Sequence, residues 1–230
     1  MTPYYERNGI VIYHGDCRDV LPHLGPVDLV LTDPPYGIGY STGRRQSYVR
    51  SSTRLVGDLL ESPICNDLLA DALPLLADAP LLYLFSAPKC LDKTLPLVRD
   101  NWGVANILVW DKGNGAAGDL ETTYGQQWEA IVYGRKERVP ITSGRDRDIL
   151  RVSRGNTSAY QHPTQKPEAL MRYLIGRHTN AQTVLDPFMG SGTTLRAAKD
   201  LDRKAIGIEI EERYCEIAAK RLSQEVLALA

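Results

Sequence analysis

Four consecutive residues, Asp33-Pro34-Pro35-Tyr36, place a carboxylate, two rigid imide bonds and an aromatic ring directly after the apolar run Val27–Thr32. Two prolines fix φ at successive positions, so the Pro34 carbonyl is held near the Asp33 carboxylate at little entropic cost. The segment thus offers two hydrogen-bond acceptors and a ring face for stacking. The plain alternative is a strand that stops at a Pro-Pro turn plugged by a tyrosine. A second group, Asp186-Pro187-Phe188-Met189-Gly190-Ser191-Gly192-Thr193-Thr194, ends the short run Thr183–Asp186. Glycines there let backbone approach a ligand at the carboxyl end of a strand, where the next helix begins. Glu209 follows about 20 residues later, where dinucleotide folds place a ribose-binding acid.

The residues of this glycine turn argue against a nucleotide phosphate as its ligand. The turn has no phosphate-loop lysine, and Asp186 would repel a pyrophosphate. A carboxylate suits a ligand with a cationic amino group, such as the methionine end of S-adenosylmethionine. A helix-capping turn with surface acids is the bland reading of the same residues.

Both groups need elements to position them. Gly9–His14 reads as a short strand, Val27–Thr32 as a second, and Cys17–Leu24 leaves room for a short helix between them. Continuous apolar runs of this length fit strands buried on both faces of a parallel sheet. Asp58–Asp78 reads as mostly helix, ended or bent by Pro63 and Pro74. Leu81–Phe85, Val104–Trp110 and Trp128–Tyr133 read as strands, with a helix near Cys90–Asp100. Arg135–Tyr160 has no sustained periodicity and reads as loop. Pro167–Arg177 reads as a helix with Pro167 in its first turn, followed by strand Thr183–Asp186, helix Thr193–Leu201, strand Lys204–Glu209 and helix Glu211–Gln224. Thr194, Ala197, Ala198 and Leu201 share one helical face, as do Tyr214, Ile217, Ala218 and Leu222. Alternating strands and helices imply an α/β fold: a mostly parallel sheet with helices on both faces.

At 230 residues, with 43% hydrophobic and 24% charged residues, the chain has the length and composition of one globular α/β domain with an insertion. Cys17, Cys65, Cys90 and Cys215 share no C-x-x-C spacing, so neither a metal site nor a disulfide framework is expected, and a cytoplasmic setting is. The most apolar stretch, Leu68–Phe85, is broken by Asp71, Pro74, Asp78 and Pro80 and cannot span a bilayer. The N-terminus, Met1–Asn8, lacks the apolar core of a signal peptide.

Three segments together carry a family resemblance. Asp186–Thr194 resembles the cofactor motif of amino-group DNA methyltransferases, and Thr32–Tyr36 resembles their catalytic motif. Gln161-His162-Pro163-Thr164-Gln165-Lys166-Pro167 is similar to the segment beside the methionine moiety in these enzymes. Catalytic motif first and cofactor motif last is the order of the β class. The resemblance implies a single Rossmann-like S-adenosylmethionine methyltransferase domain over residues 1–230, circularly permuted. It implies cofactor contacts from Asp16, Thr164, Lys166, Asp186, Phe188, Gly190, Ser191, Gly192, Thr193 and Glu209. Asp16 would accept from the adenine amino group of the cofactor, and Glu209 would hold its ribose hydroxyls; Asp16 can also serve as a helix N-cap. His162 is expected to pack near the cofactor, and Lys166 to line the site rather than catalyse.

In that setting the chemistry of Asp33, Pro34, Pro35 and Tyr36 becomes specific. The exocyclic nitrogen of adenine or cytosine is a weak nucleophile because its lone pair is delocalised into the ring. Accepting hydrogen bonds from both its N–H groups, at Asp33 and the Pro34 carbonyl, makes it more pyramidal and aims the lone pair at the methyl group. Tyr36 would stack on a base flipped out of the duplex. No metal is needed. Phosphate contacts are expected from Arg44, Arg45, Arg50 and Arg54 in the loop 37–57, and from Arg135, Lys136, Arg145 and Arg147 in a target-recognition insertion, residues 111–160. The expected target is N6 of adenine in double-stranded DNA, because cytosine-N4 enzymes of this family more often carry Ser where this chain has Asp33. Cytosine N4 is the alternative; others are RNA or a protein glutamine amide as acceptor, or a silent DNA-binding subunit. A homodimer and a cognate restriction endonuclease are the expected partners by resemblance.

Overall fold

The computed structural model describes residues 1–35, 64–76, 78–113, 124–142, 146–153 and 165–224. Its strands are β1 (Tyr5–Arg7), β2 (Ile10–His14), β3 (Leu29–Thr32), β4 (Leu81–Ser86), β5 (Val104–Asp111), β6 (Trp128–Arg135), β7 (Ile149–Arg151), β8 (Thr183–Asp186) and β9 (Lys204–Glu209). Its helices are α1 (Cys17–Val20), α2 (Ile64–Leu75), α3 (Leu91–Asn101), α4 (Glu168–Gly176), α5 (Thr193–Asp200) and α6 (Glu212–Ser223). The strands form one sheet in the order β1-β2-β9-β8-β3-β4-β6-β5-β7. From β2 to β4 every pairing is parallel, whereas β6 runs antiparallel to both β4 and β5.

Alternation along the strands divides the core into two layers. Leu29, Leu31, Tyr83 and Ile131 pack with Leu170, Leu174, Leu195, Ala198 and Cys215, which belong to α4, α5 and α6. Val30, Leu82, Leu84 and Val132 pack on the other face with Val20, Leu73, Leu76 and Val98, from α1, α2 and α3 or beside them. Strands β3 and β4 are buried throughout, which is why their sequences read as unbroken apolar runs. Sheet pairing also brings the two ends of the chain together: β8 and β9 lie between β2 and β3.

Three local points differ from the sequence reading. Two short strands go unread: β1, which pairs with β2, and β7, which lies within the segment expected to be loop. Each has three residues, too few for periodicity, and each is defined by a neighbour rather than by its own composition. In β7 only Leu150 is buried, and the Trp110 indole reaches past it to donate to the Val152 carbonyl at 2.8 Å. Pro167 is the N-cap of α4 rather than its first helical residue, and its carbonyl accepts from the N–H groups of Leu170 and Met171. Pro74 lies in the last turn of α2, which stops one residue later at Leu75, in keeping with a proline that ends the helix.

Candidate active site

Chain connections leave β8 toward β9 on one side and β3 toward β4 on the other. The sheet therefore has a topological switch point between β8 and β3, and the crevice at their carboxyl ends is where open α/β sheets bind ligands. Both sequence groups converge there. Asp186, at the end of β8, is buried and accepts from the hydroxyl of Thr32, the last residue of β3, at 2.8 Å. The Phe188 N–H donates to the same oxygen at 3.1 Å, and the Thr194 hydroxyl donates to the other at 2.6 Å. Asp186 thus ties the strand that ends in Asp33 to the start of α5. Of roughly four lone-pair directions on a carboxylate, three are used here.

Burial pushes the Asp186 carboxyl up to about 6, against the opposing pull of its three hydrogen bonds. Its folded value lies above the unfolded one, so in the window between them the folded chain retains a proton that the unfolded chain has released. The stability this provides is present below pH about 4 and is lost as pH rises to about 6, on the order of 3 kcal/mol in all. Asp186→Asn keeps an acceptor oxygen for Thr32 and removes the ionisation. Urea unfolding of the variant between pH about 4 and 6.5 should show a flatter stability profile than the parent chain, and an unchanged slope would refute the assignment.

The glycine turn sits directly on β9. The Met189 N–H donates to the Ile208 carbonyl at 3.0 Å, and a Cβ built at Gly207 would lie 2.5 Å from the Met189 sulfur. Gly190 and Gly192 both adopt left-handed conformations, at φ 51° and 77°. Glu209, at the end of β9, accepts from the N–H of Gly190 at 3.0 Å on one oxygen and from the N–H of Glu211 at 2.8 Å on the other. Burial raises the Glu209 pKa while these two amides oppose the rise. Both oxygens are oriented by backbone, as a carboxylate must be to grip two adjacent hydroxyls.

Asp16 stands beside it. His14 pairs with Glu209 across the β2–β9 ladder, and the Gly15 N–H donates to the Glu209 carbonyl at 2.9 Å. Asp16 caps α1 through the Arg18 N–H and also binds the Arg18 guanidinium at 2.7 Å, which holds its carboxyl below the usual range. The capping role is therefore present. The Ser191 hydroxyl donates to the Gln165 side chain at 3.2 Å, drawing the segment before α4 against the turn. Thr193 is buried and accepts from Arg221 at 3.3 Å, and Phe188, like Tyr13 and Ile206, packs against the core on the α1 to α3 face. An amide-oriented acid, two glycines at the turn and a second carboxylate just beyond the adjoining strand fit S-adenosylmethionine, whose sulfonium would supply the methyl group.

Lys166 stands against two acids. Its ammonium lies 2.5 Å from Asp33 Oδ2 and 3.0 Å from Glu129 Oε2, with only 6% of the side chain exposed. Sequence reasoning missed Glu129 and Lys112, whose ammonium is 3.1 Å from the other Glu129 oxygen. An acid in the second position of the otherwise apolar strand Trp128–Tyr133 was the available signal.

Arg135 and Lys136 are not brought to this site. Arg135 pairs with Leu81 at the start of β4, and the Lys136 N–H donates to the Pro80 carbonyl at 3.1 Å. Because β6 runs antiparallel to β4, its C-terminal end points away from the catalytic edge, by roughly 17 Å along the strand. Arg135 and Arg147 instead line a cavity of about 530 Å³ with Tyr83, Tyr133 and Tyr173. Arg135 and Lys136 thus stand at the edge of the sheet opposite Asp33. Tyr36, Arg44, Arg45, Arg50, Arg54, Arg145, His162 and Thr164 lie outside the described residues.

Comparison with known proteins agrees with this geometry. The chain is 27% identical to the type II methyltransferase M2.DpnII of Streptococcus pneumoniae, an alignment covering 97% of this chain and 93% of the relative. It is 28% identical to M2.MboI of Moraxella bovis, over 96% and 91% of the two chains. The crystal structure of an M1.HpyAVI–SAM complex superposes with a TM-score of 0.70 at 28% identity, covering 94% of this chain and all of that one. The cytosine-N4-specific PvuII DNA methyltransferase shares the fold, with a TM-score of 0.77 at 17% identity over 98% and 90% of the chains. The model of the N6/N4 DNA methylase family matches residues 27–220, so this chain belongs to that family and is an S-adenosylmethionine-dependent DNA methyltransferase.

Proposed function

We propose that the chain methylates the N6 amino group of adenine in duplex DNA. The observation that supports this most is the position of Asp33 at the switch-point crevice, one residue beyond Thr32, which is itself tied to the cofactor turn through Asp186. Asp33 and the Pro34 carbonyl receive the two N–H groups of the flipped base, and Tyr36 stacks on its ring. Asp16, Gly190, Glu209 and their neighbours orient the cofactor so that its methyl group faces that nitrogen. Asp33 rather than Ser at the first motif position favours adenine over cytosine. Mass spectrometry of nucleosides from a methylation-free host expressing the chain tests the reading. N6-methyladenine is expected, and N4-methylcytosine in its place would overturn the choice of base.

The same reading gives the arginines of the loop 37–57 the task of holding the phosphate backbone. Neutralising Arg44 and Arg45 together should weaken binding to all duplex sequences and reduce the salt slope by about 2. Fluorescence anisotropy across a salt series measures both. Altered site preference at unchanged affinity would instead make these residues readers of bases. A homodimer in the cytoplasm, paired with a cognate endonuclease, completes the proposal, and light scattering of the purified chain tests the dimer.

A further inference from the structure

We propose that Lys166, gripped by Glu129, is the positioning residue for Asp33, fixing the rotation and ionisation of the carboxylate that receives the target amino group. The proposal rests on the reading of Asp33 as that acceptor. Four charged groups of alternating sign run along the carboxyl edge of the sheet. Asp33 follows β3, Lys166 precedes α4, Glu129 opens β6 and Lys112 follows β5. Successive contacts are 2.5, 3.0 and 3.1 Å. Phe85 and Trp110 place their rings 5.2 and 6.0 Å from the Lys166 ammonium and shield it from water.

Such a row is a poor device for stability. A buried ion pair is often no better than well-packed apolar side chains of the same volume, and ordering a lysine there costs desolvation and rotamer entropy. What it supplies is geometry. Two carboxylates at close range leave the ammonium little freedom to move, Glu129 acting through charge, since its Oε2 makes no hydrogen bond among the described residues. Glu129 is in turn held at its second oxygen by Lys112. With Oδ2 of Asp33 fixed against this anchored ammonium, the plane of the carboxylate and the direction of Oδ1 are set before the base arrives.

Charge matters equally. Asp33 faces Lys166 on one side and Asp186 on the other, and the negative charge of Asp33 helps to raise the Asp186 pKa. Lys166 offsets that repulsion at Asp33. Burial alone would lower the Lys166 pKa, but Asp33 and Glu129 outweigh burial and keep it charged. A cation this near favours the carboxylate form of Asp33.

The test compares single-turnover methylation rates against pH for the parent chain, Lys166→Met, Lys166→Arg and the double variant Lys166→Met/Glu129→Gln. S-Adenosylmethionine affinity is measured alongside by calorimetry. Lys166→Met should slow methyl transfer at least 30-fold at pH about 7.5 and move the acidic limb of the profile up by about one unit. Cofactor affinity should stay within about threefold. Lys166→Arg should restore the acidic limb. The double variant removes both buried charges, so it preserves folding if Lys166→Met does not, and it should show the same slowing and the same displaced limb. A wild-type rate, or a slowed rate with an unmoved acidic limb, overturns the proposal. So does a loss of cofactor affinity beyond about tenfold, which would return Lys166 to the cofactor site. Asp33→Ala separates the two levels: if it remains active the reading of Asp33 fails, whereas an inactive Asp33→Ala with a normal Lys166→Met refutes positioning alone.

Discussion

Asp33→Ala is expected to reduce methyl transfer at least 1,000-fold, about 4 kcal/mol of barrier, while S-adenosylmethionine binds within about threefold of the parent chain. The asymmetry follows from where the side chain sits. Asp33 extends beyond β3 toward the crevice, whereas the groups proposed to orient the cofactor are Asp186, the glycine turn and Glu209. Its hydrogen bond to the target nitrogen strengthens as positive charge develops there, so its removal falls on the transition state rather than on binding. The variant takes one of its carboxylate partners from the buried Lys166 ammonium, so some loss of stability should accompany it. Thermal unfolding and calorimetry on the same sample separate that cost from the catalytic one. An activity loss of less than about tenfold, with the fold intact, would remove Asp33 from the reaction.

Much of this architecture is legible from composition because the central strands are buried on both faces. Val27–Thr32 and Leu81–Phe85 read as strands since no position in them must face water. The cofactor turn is legible for a different reason. Its glycines stand at a fixed distance from Glu209, and that spacing alone places an acid near a backbone turn. What escapes is set by pairing across the sheet. Nothing in Trp128–Arg135 announces that the strand runs against β4, yet that reversal delivers Glu129 to the catalytic edge and carries Arg135 to the far one. The Lys166–Asp33 contact is equally invisible, since it joins residues 133 apart in the chain, a difference read directly from their numbers. A charged residue within a motif is easily assigned to the motif's ligand, and only the folded chain shows that its partner is another side chain.

Gly190→Val should abolish cofactor binding, by at least 100-fold in affinity, with smaller effects on folding. Gly190 has φ 51°, and a β-branched residue is a genuine outlier in that region. Valine can relieve the strain, of order 1–3 kcal/mol, only by moving to negative φ. That rotation swings the residue's N–H away from Glu209, whose Oε2 it now orients at 3.0 Å. Glu209, the acid proposed to face the ribose, loses one of its two backbone anchors, and two methyl groups enter the turn proposed to approach the ligand. Gly192 supplies the contrast within the same turn. A Cβ there would meet the Ala218 side chain at 2.8 Å, so Gly192→Ala presses α5 against α6 and its main cost should appear as a lowered Tm. Calorimetric titration with S-adenosylmethionine and thermal unfolding, run on both variants, resolve the two roles. Normal cofactor affinity in a folded Gly190→Val chain would show that the ligand does not lie against this turn.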